Sequence, residues 1–479
     1  MAKYDPNGVA LWAVPFTGTT NDECRGISVD ALGAVYVTGF FTSPTLTIGG
    51  EALTRIGTQD AFVAKLGPDG TCLWALDLST GVDDVEQGTS ITSAPNGDTY
   101  ITGYFKGTFE PAGSPTLTSC VNGSNLFLLK LDTDGAVLWS RSPVCPSQPS
   151  YGESYGQVVH VDNGGNLFLA GAFRGATCTV GDSTFVNYSE SSNNLLWAKF
   201  TSAGDLLWVR SFGENGDDRV LDIDTDPNGN AYLALERAGT YNLPEFTIPY
   251  NTGGSFNWRT LALKCDPNGT FLWYERVGGS TDAHRIWSIK VLTDGSFLLG
   301  GEFIRQCTFD SFTIPWNDFD EYWSLFLARY NPAGVAQEVF VRRQATARAI
   351  RGITTDEAGN VYMAGYFYDS LTVGDLPILD VANSALVLAR TGDLSTFLRT
   401  DERADPAAAY PNPSAGLVNI TAPFPFDRIR FMDAAGRTIA EHNTGERTSW
   451  MGDTPGKGVV QYSLWHRGSL VGMGRIVVQ

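Results

Sequence analysis

Carboxylates are the residues of this chain best placed to do chemistry. The pairs Asp22-Glu23, Asp83-Asp84 and Asp217-Asp218, with Asp282, recur at comparable points along the sequence. Two carboxyl groups held a few ångströms apart are the equipment of glycoside hydrolysis, one serving as acid and the other as base or nucleophile. Around them Tyr151, Tyr155, Arg219, His284, Arg285, Arg343 and Arg348 add hydroxyl, imidazole and guanidinium groups. A feature that returns at equivalent places is first a solvated, turn-capping element, so no residue is assigned a catalytic role. Asp22, Asp84, Tyr155, Asp218, Arg219, Asp282, His284 and Arg348 are expected to bind a ligand instead.

Other chemistries find less support. None of the four histidines, His160, His284, His442 and His466, stands in a zinc-protease, serine-hydrolase or phosphate-loop context. His160, between two valines, reads as a core or channel-lining residue. The seven cysteines show no C-x-x-C pair and so no zinc site. Cys120 and Cys145 could form a disulfide; the others read mostly as buried thiols. Asp224, Asp226 and Asn228 match the opening of a calcium loop. However, the same hairpin position reads Asp30-Ala31-Leu32-Gly33 and Asp356-Glu357-Ala358-Gly359, where turn chemistry suffices, and no bidentate glutamate follows. No metal and no cofactor are expected.

Repeats position all of these residues. The stretch Ala2-Lys3-Tyr4-Asp5-Pro6-Asn7-Gly8-Val9-Ala10-Leu11-Trp12 returns from Ala64, Leu129, Ala198 and Leu263, with weaker copies from Ala328 and Ala389. Five of the eight lysines fall in this one register, which suggests a structural role at the ends of repeats. Between the copies runs a second unit, seen from Gly26, Ser90, Val158, Ser288 and Gly352 and, in degraded form, from Leu221. Both units are pairs of short alternating β runs around a glycine turn, the signature of a hairpin. Four strands in each repeat of about 65 residues make a propeller blade. Third strands such as Phe127-Leu128-Leu129, apolar on both faces, suit a sheet covered on both sides.

The expectation is therefore an all-β chain: a β-propeller of six to seven four-stranded blades in residues 1–399, then a small C-terminal β-sandwich. The blade count stays open because the chain starts in mid-blade. Either residues 2–14 supply outer strands that close the ring, or a half-blade lies upstream. The tryptophans at 12, 74, 139, 208 and 273 should pack between blades. The cadence of these repeats resembles the bacterial seven-bladed β-propeller repeat family, a likeness that implies fold and leaves the ligand open.

Residues 400–409 are polar and alanine-rich and read as a linker. Beyond them, Pro411-Asn412-Pro413 with Gly416, then the turn Asp433-Ala434-Ala435-Gly436-Arg437, then an apolar terminal strand resemble the type A C-terminal sorting domain of the type IX secretion system of Bacteroidetes-type bacteria. The resemblance implies that residues 410–479 engage that secretion machinery as an export address. No inner-membrane leader precedes the repeats in this sequence, which favours an amino terminus that lies further upstream. No apolar run is long enough to span a membrane. The net charge is −19; the tail holds seven basic and five acidic groups, leaving −21 for the rest. Such a field repels nucleic acid and anionic lipid.

The function expected is that of an exported or cell-surface binding module with a protein or glycan ligand. The alternative is a secreted polysaccharide hydrolase or lyase using the acidic loops of one propeller face.

Overall fold

A computed structural model of the chain describes all residues except 7, 80, 82–84, 121–122, 143–151, 188, 214–215, 238, 250–258, 279–283, 315–322, 343–347, 357, 372–378, 392–407, 411–416, 433–436, 454–457, 467–468 and 479. The chain divides into two compact units, Met1–Leu398 and Arg399–Gln479.

In the first unit each repeat folds into one antiparallel sheet, a blade. The first runs Asp22–Val29, Val35–Phe41, Asp60–Leu66 and Cys72–Asp77 from the inside outward. Four more follow with the same order, led by the inner strands Val85–Ser93, Glu153–Val161, Arg219–Thr225 and His284–Val291. A sixth, led by Arg348–Thr355, has three described strands, and Ala2–Tyr4 pairs with Ala10–Ala13 as a separate two-stranded sheet. This is an all-β propeller. Leu128, Leu129, Leu195, Leu196 and Leu327 on third strands are fully buried, as expected of sheets covered on both faces.

Two features shape the blades beyond the expected four strands. Every inner strand carries a β-bulge at the same place, between Cys24 and Gly26, Gly88 and Ser90, Gly156 and Val158, Val220 and Asp222, Ile286 and Ser288, and Ile350 and Gly352. The extra residue twists the strand and re-aims its own side chain. A small hairpin also sits between second and third strands, such as Thr177–Val180 with Ser183–Val186 and Cys307–Phe309 with Phe312–Ile314. Cys178 and Cys307 occupy these hairpins and are wholly buried. No disulfide is present among the described residues, and Cys145 lies outside them.

The repeated Trp and Lys join blade to blade. Nε1 of Trp12, Trp74, Trp139 and Trp208 donates to the backbone carbonyl of Pro68, Thr133, Ser202 and Pro267, each in the turn of the next blade, at 2.9–3.3 Å. Nζ of Lys3, Lys65 and Lys130 donates to the first three of those carbonyls. The indole also lies on the turn glycine: a Cβ at Gly70 would stand 2.8 Å from the Trp12 ring, and one at Gly204 3.0 Å from Trp139. Both glycines have positive φ, so a side chain there is excluded by backbone and space alike. The tryptophans thus pack between blades as their register predicts.

In the second unit, the long strand Leu417–Met432 pairs with Thr438–Asp453 on one edge and Gly458–His466 on the other, with Ala408–Tyr410 and Ser469–Val478 completing one sheet. Ala408 and Ala409 therefore belong to a strand. Val418 and Ile420 near one end of the long strand share a core with Phe426, Ile429 and Phe431 near the other, and with Val460, Tyr462 and Leu464. The sheet closes over its own apolar face in this way.

Candidate functional site

Pairing registers place several predicted residues at one structural position. Asp22, Glu86, Ser154, His284 and Arg348 each open an inner strand opposite a phenylalanine, and Asp218 stands just before the Arg219–Glu236 pair. Among the predicted ones whose side chains are described, Asp218 and His284 are buried and Asp22 is half-buried. Asp22 accepts from the Thr42 and Ser43 amides at 3.0 and 3.1 Å and from the Ser43 hydroxyl at 2.6 Å. Glu86 accepts from Ser79 Oγ at 2.7 Å, and Ser154 Oγ from the Leu126 amide at 2.9 Å. Asp218 is fully buried beside Tyr241, whose pKa is raised by burial and then by that carboxylate. His284 is buried against Gly278, where a Cβ would come within 2.1 Å of the imidazole. Asp84 and Asp282 lie outside the described residues, as does the side chain of Arg348.

One residue further along, side chains turn toward the preceding blade, and here the blades diverge. In the second and third blades the position is held by Gln87 and Tyr155, and Tyr104, the cross-strand partner of Gln87, meets Tyr155 edge-to-face with centroids 5.3 Å apart. Tyr104 donates to Gln87 and Tyr155 to Glu153, at 2.9 and 2.6 Å. Burial, helped by Glu153, raises the Tyr155 pKa.

In the fourth and fifth blades the same position is charged, held by Arg219 and Arg285, and in the sixth it is Ala349. Arg285 Nε donates to Glu236 Oε1 at 3.0 Å, and its Nη1 lies 3.9 Å from Glu302 Oε1. Arg219 reaches the other Glu236 oxygen at 3.5 Å. Trp287, on the bulge of the fifth blade, donates its indole N–H to Glu302 at 3.0 Å. The guanidinium of Arg351, the next blade's bulge residue, stacks 3.4 Å from the Trp287 ring centroid, and its Nη2 donates to the Tyr366 hydroxyl at 3.3 Å. Glu236 and Glu302 are 1% and 4% exposed, whereas Arg219 and Arg351 are exposed. Burial raises the Glu302 carboxyl pKa, while the Trp287 hydrogen bond, Arg351 and Arg285 oppose it.

Among the described residues, three guanidiniums gather around two carboxylates. A stacked guanidinium keeps edge donors for a carboxylate or sulfate, and the aromatic rings supply flat apolar faces. The hydroxyl of Tyr155 and the imidazole of His284 are engaged or buried, so the face offers recognition groups more readily than a general base.

Of the predicted residues, Tyr155 and Arg219 belong to this surface. Glu236, Trp287, Glu302, Arg351 and Tyr366 escaped prediction. Their signal was a break in the repeat: Gly300-Gly301-Glu302-Phe303 carries an acid where Gly-Phe-Phe, Gly-Tyr-Phe and Gly-Ala-Phe stand in other blades.

The calcium-like loop is satisfied internally. Asp226 Oδ1 accepts from the Asn228 and Asn230 amides at 2.9 and 3.0 Å, and Oδ2 from the Asn230 side chain at 2.7 Å. Asp224 Oδ2 takes Lys290 Nζ at 2.6 Å and the Val291 amide at 2.8 Å. No cluster of metal-binding side chains occurs among the described residues. His160, half-buried and 3.6 Å from Asp224, has its pKa lowered by desolvation. No described helix is long and apolar enough to cross a membrane. Of the export-motif residues, Arg437 is exposed, while Pro411, Asn412, Pro413, Gly416, Asp433 and Gly436 lie outside the described residues.

No protein-family profile matches the chain. It is similar to an uncharacterized WD repeat-containing protein of Acanthamoeba polyphaga mimivirus, 29% identical over 157 residues, which is 29% of this chain and 11% of that protein. The chain thus spans about a tenth of that relative's length. Among solved structures it is similar to an ulvan lyase of a new polysaccharide lyase family, with 13% identity, TM-score 0.41, and coverage of 78% of this chain and 82% of that one. YCF48 bound to the D1 peptide gives 12%, 0.35, 74% and 80% in the same order. A Dyadobacter fermentans protein of unknown function gives 11%, 0.38, 78% and 98%. The sheets, their shared register and the inter-blade tryptophans make the first unit a β-propeller built from sequence repeats.

Proposed function

We propose that the protein is an exported or cell-surface binding module whose propeller recognises an anionic group of a glycan or protein ligand on the face formed by Arg219, Arg285, Trp287 and Arg351. The observation that carries this reading is the Arg351–Trp287 stack beside the Arg285-bridged pair Glu236 and Glu302. Buried acids hold Arg285 in place, and Arg219 and Arg351 beside it are exposed. Fixing donors before the ligand arrives lowers the entropy cost of binding. We assign residues 1–399 to this module, 400–407 to a connector, and the tail from the strand Ala408–Tyr410 onward to a sorting domain that engages type IX secretion machinery. The support for the last is the ordered set of motifs in the tail.

The test is to titrate the full chain against sulfated, uronic-acid and neutral oligosaccharides and against acidic peptides, while assaying for new reducing ends. Binding of an anionic member that Arg351→Ala weakens at least tenfold, without product, supports the reading. New reducing ends released from any of these oligosaccharides by the full chain would replace it with a polysaccharide-cleaving activity.

A further inference from the structure

Two buried carboxylates in the fourth and fifth blades share one guanidinium, and it serves them unequally. At one register position of the second strand the first, second, third and sixth blades carry Phe40, Tyr104, Ala172 and Tyr366. The fourth and fifth carry Glu236 and Glu302 there. A carboxylate taken out of water needs cations and donors to keep its charge. Glu236 has both, with Arg285 Nε at 3.0 Å from one oxygen and Arg219 Nε at 3.5 Å from the other. Glu302 is held more loosely. Its nearest guanidinium nitrogen, Arg285 Nη1, stands 3.9 Å from Oε1, and the hydrogen bond it accepts comes from the neutral indole of Trp287, at 3.0 Å on that same oxygen. Oε2 accepts none among the described residues. Among the described residues, the charged groups facing Glu302 are Arg285 on the inner strand paired with it, Glu236 on the preceding blade and Arg351 on the following one, while Leu325 stands on its other edge. Burial is the largest influence on this carboxyl and favours its neutral form, against the Trp287 hydrogen bond and the two arginines.

We infer, resting on the anion-recognition reading above, that ligand binding at this face is coupled to the uptake of one proton by Glu302, so that an anion is held in acidic surroundings and let go as the pH rises. An anion seated on Arg285 and Arg351 draws on the two guanidiniums that offset the Glu302 charge, and it adds a like charge beside a carboxylate that is almost out of water. Glu236 keeps Arg219 on its second oxygen. Glu302 has no such reserve, so the proton goes to its Oε2. Protonation there removes the repulsion and leaves the Trp287 bond to Oε1 in place. The coupling is reciprocal: the factor by which a bound anion tightens the proton is the factor by which the proton tightens the anion. Because the carboxyl holds its proton more firmly in the complex than in the free protein, affinity rises as pH falls between the two titration points and is level outside them. The ligand must keep its own charge at the acidic end, which a sulfate ester does.

The experiment titrates the full chain with a sulfated oligosaccharide, whose charge is constant from pH 5 to pH 8, by calorimetry in buffers of different ionisation enthalpy. Affinity should rise toward acid by up to about tenfold per pH unit, with about one proton taken up per ligand bound. Glu302→Gln, which keeps an acceptor for the Trp287 N–H, should bind at pH 8 about as tightly as the wild type does at pH 5, without the proton. Titration of the chain's other acidic groups acts on both proteins alike, so the difference between them isolates Glu302. The slope and the proton count are read on the wild type, and a Glu302→Gln chain that fails to fold leaves them standing. Trp287 fluorescence without ligand, taken as wild type minus Trp287→Phe, should show a transition above the ordinary glutamate range that Glu302→Gln removes. Binding with no pH slope and no proton uptake, or a slope that survives Glu302→Gln, overturns the coupling and leaves the recognition reading intact. Absence of binding at every pH overturns both.

Discussion

The guanidinium of Arg390 donates to the carbonyl of Pro6 at 3.1 Å, joining residues 384 positions apart. It is the same contact that Lys3, Lys65 and Lys130 make with the turn of the following blade, so the last basic residue of the repeat register finds the first turn. Arg390 also lies 5.8 Å from the Tyr362 ring, as Lys65 lies 5.0 Å from Tyr36 and Lys130 5.2 Å from Tyr100. A cation held between a ring of its own blade and a carbonyl of the next is the repeated joint of this propeller.

Removing one indole should open such a joint. Trp139→Ala loses a half-buried ring stacked on Gly204 and the bond to Ser202, and should cost ~2–4 kcal/mol in chemical denaturation. A loss below ~0.5 kcal/mol would mean that the ring carries no inter-blade packing.

Acidity should stabilise the fold. Burial raises the Asp77 pKa to about 7, with Asp60 adding to the effect, and raises Glu275 to about 7 and Asp222 to about 6. The folded state thus keeps protons that the unfolded chain releases near pH 4, so stability falls as pH rises from about 4 to 7. The melting temperature should be lower at pH 8 than at pH 5, and Asp77→Asn should narrow the difference. An equal or higher value at pH 8 contradicts this.

Calcium and chelator should both leave the melting temperature unchanged, because Asp224 and Asp226 already bind amides and Lys290. Asp226→Ala should still destabilise, since it strips the turn of its cap. A chelator-induced drop reversed by calcium would restore the metal reading.

The sorting role of the tail has a direct cellular test. A version truncated at Tyr410 should accumulate in the periplasm of a type IX-competent host, while limited proteolysis of the full chain should leave a stable fragment near residues 1–400. Normal surface levels of the truncated form would remove the assignment.

Glycine turns at a regular spacing and tryptophans in one register made the blades legible, because both depend on local chemistry. The small hairpins, such as Tyr241–Asn242 with Thr247–Ile248, were not, since strands of two residues are too short to show alternation. His284 and Asp22 looked like ligand groups because both sit in polar loop sequence. Only pairing opposite Phe303 and Phe41 reveals that they share one register position, where His284 is buried and Asp22 half-buried. Glu236 and Glu302 were hidden for the converse reason, lying inside apolar strands where an acid is easily read as noise.

The acceptor in each joint is a main-chain carbonyl, and a carbonyl is supplied by every amino acid. Pro68, Thr133, Ser202 and Pro267 perform one task with three different side chains. Mutational drift in those turns therefore leaves the attachment intact so long as the glycine keeps its left-handed conformation. Tolerance is lopsided: the donor residues are constrained, while the surface beside their acceptors is free to vary and to acquire new specificities without loosening the ring.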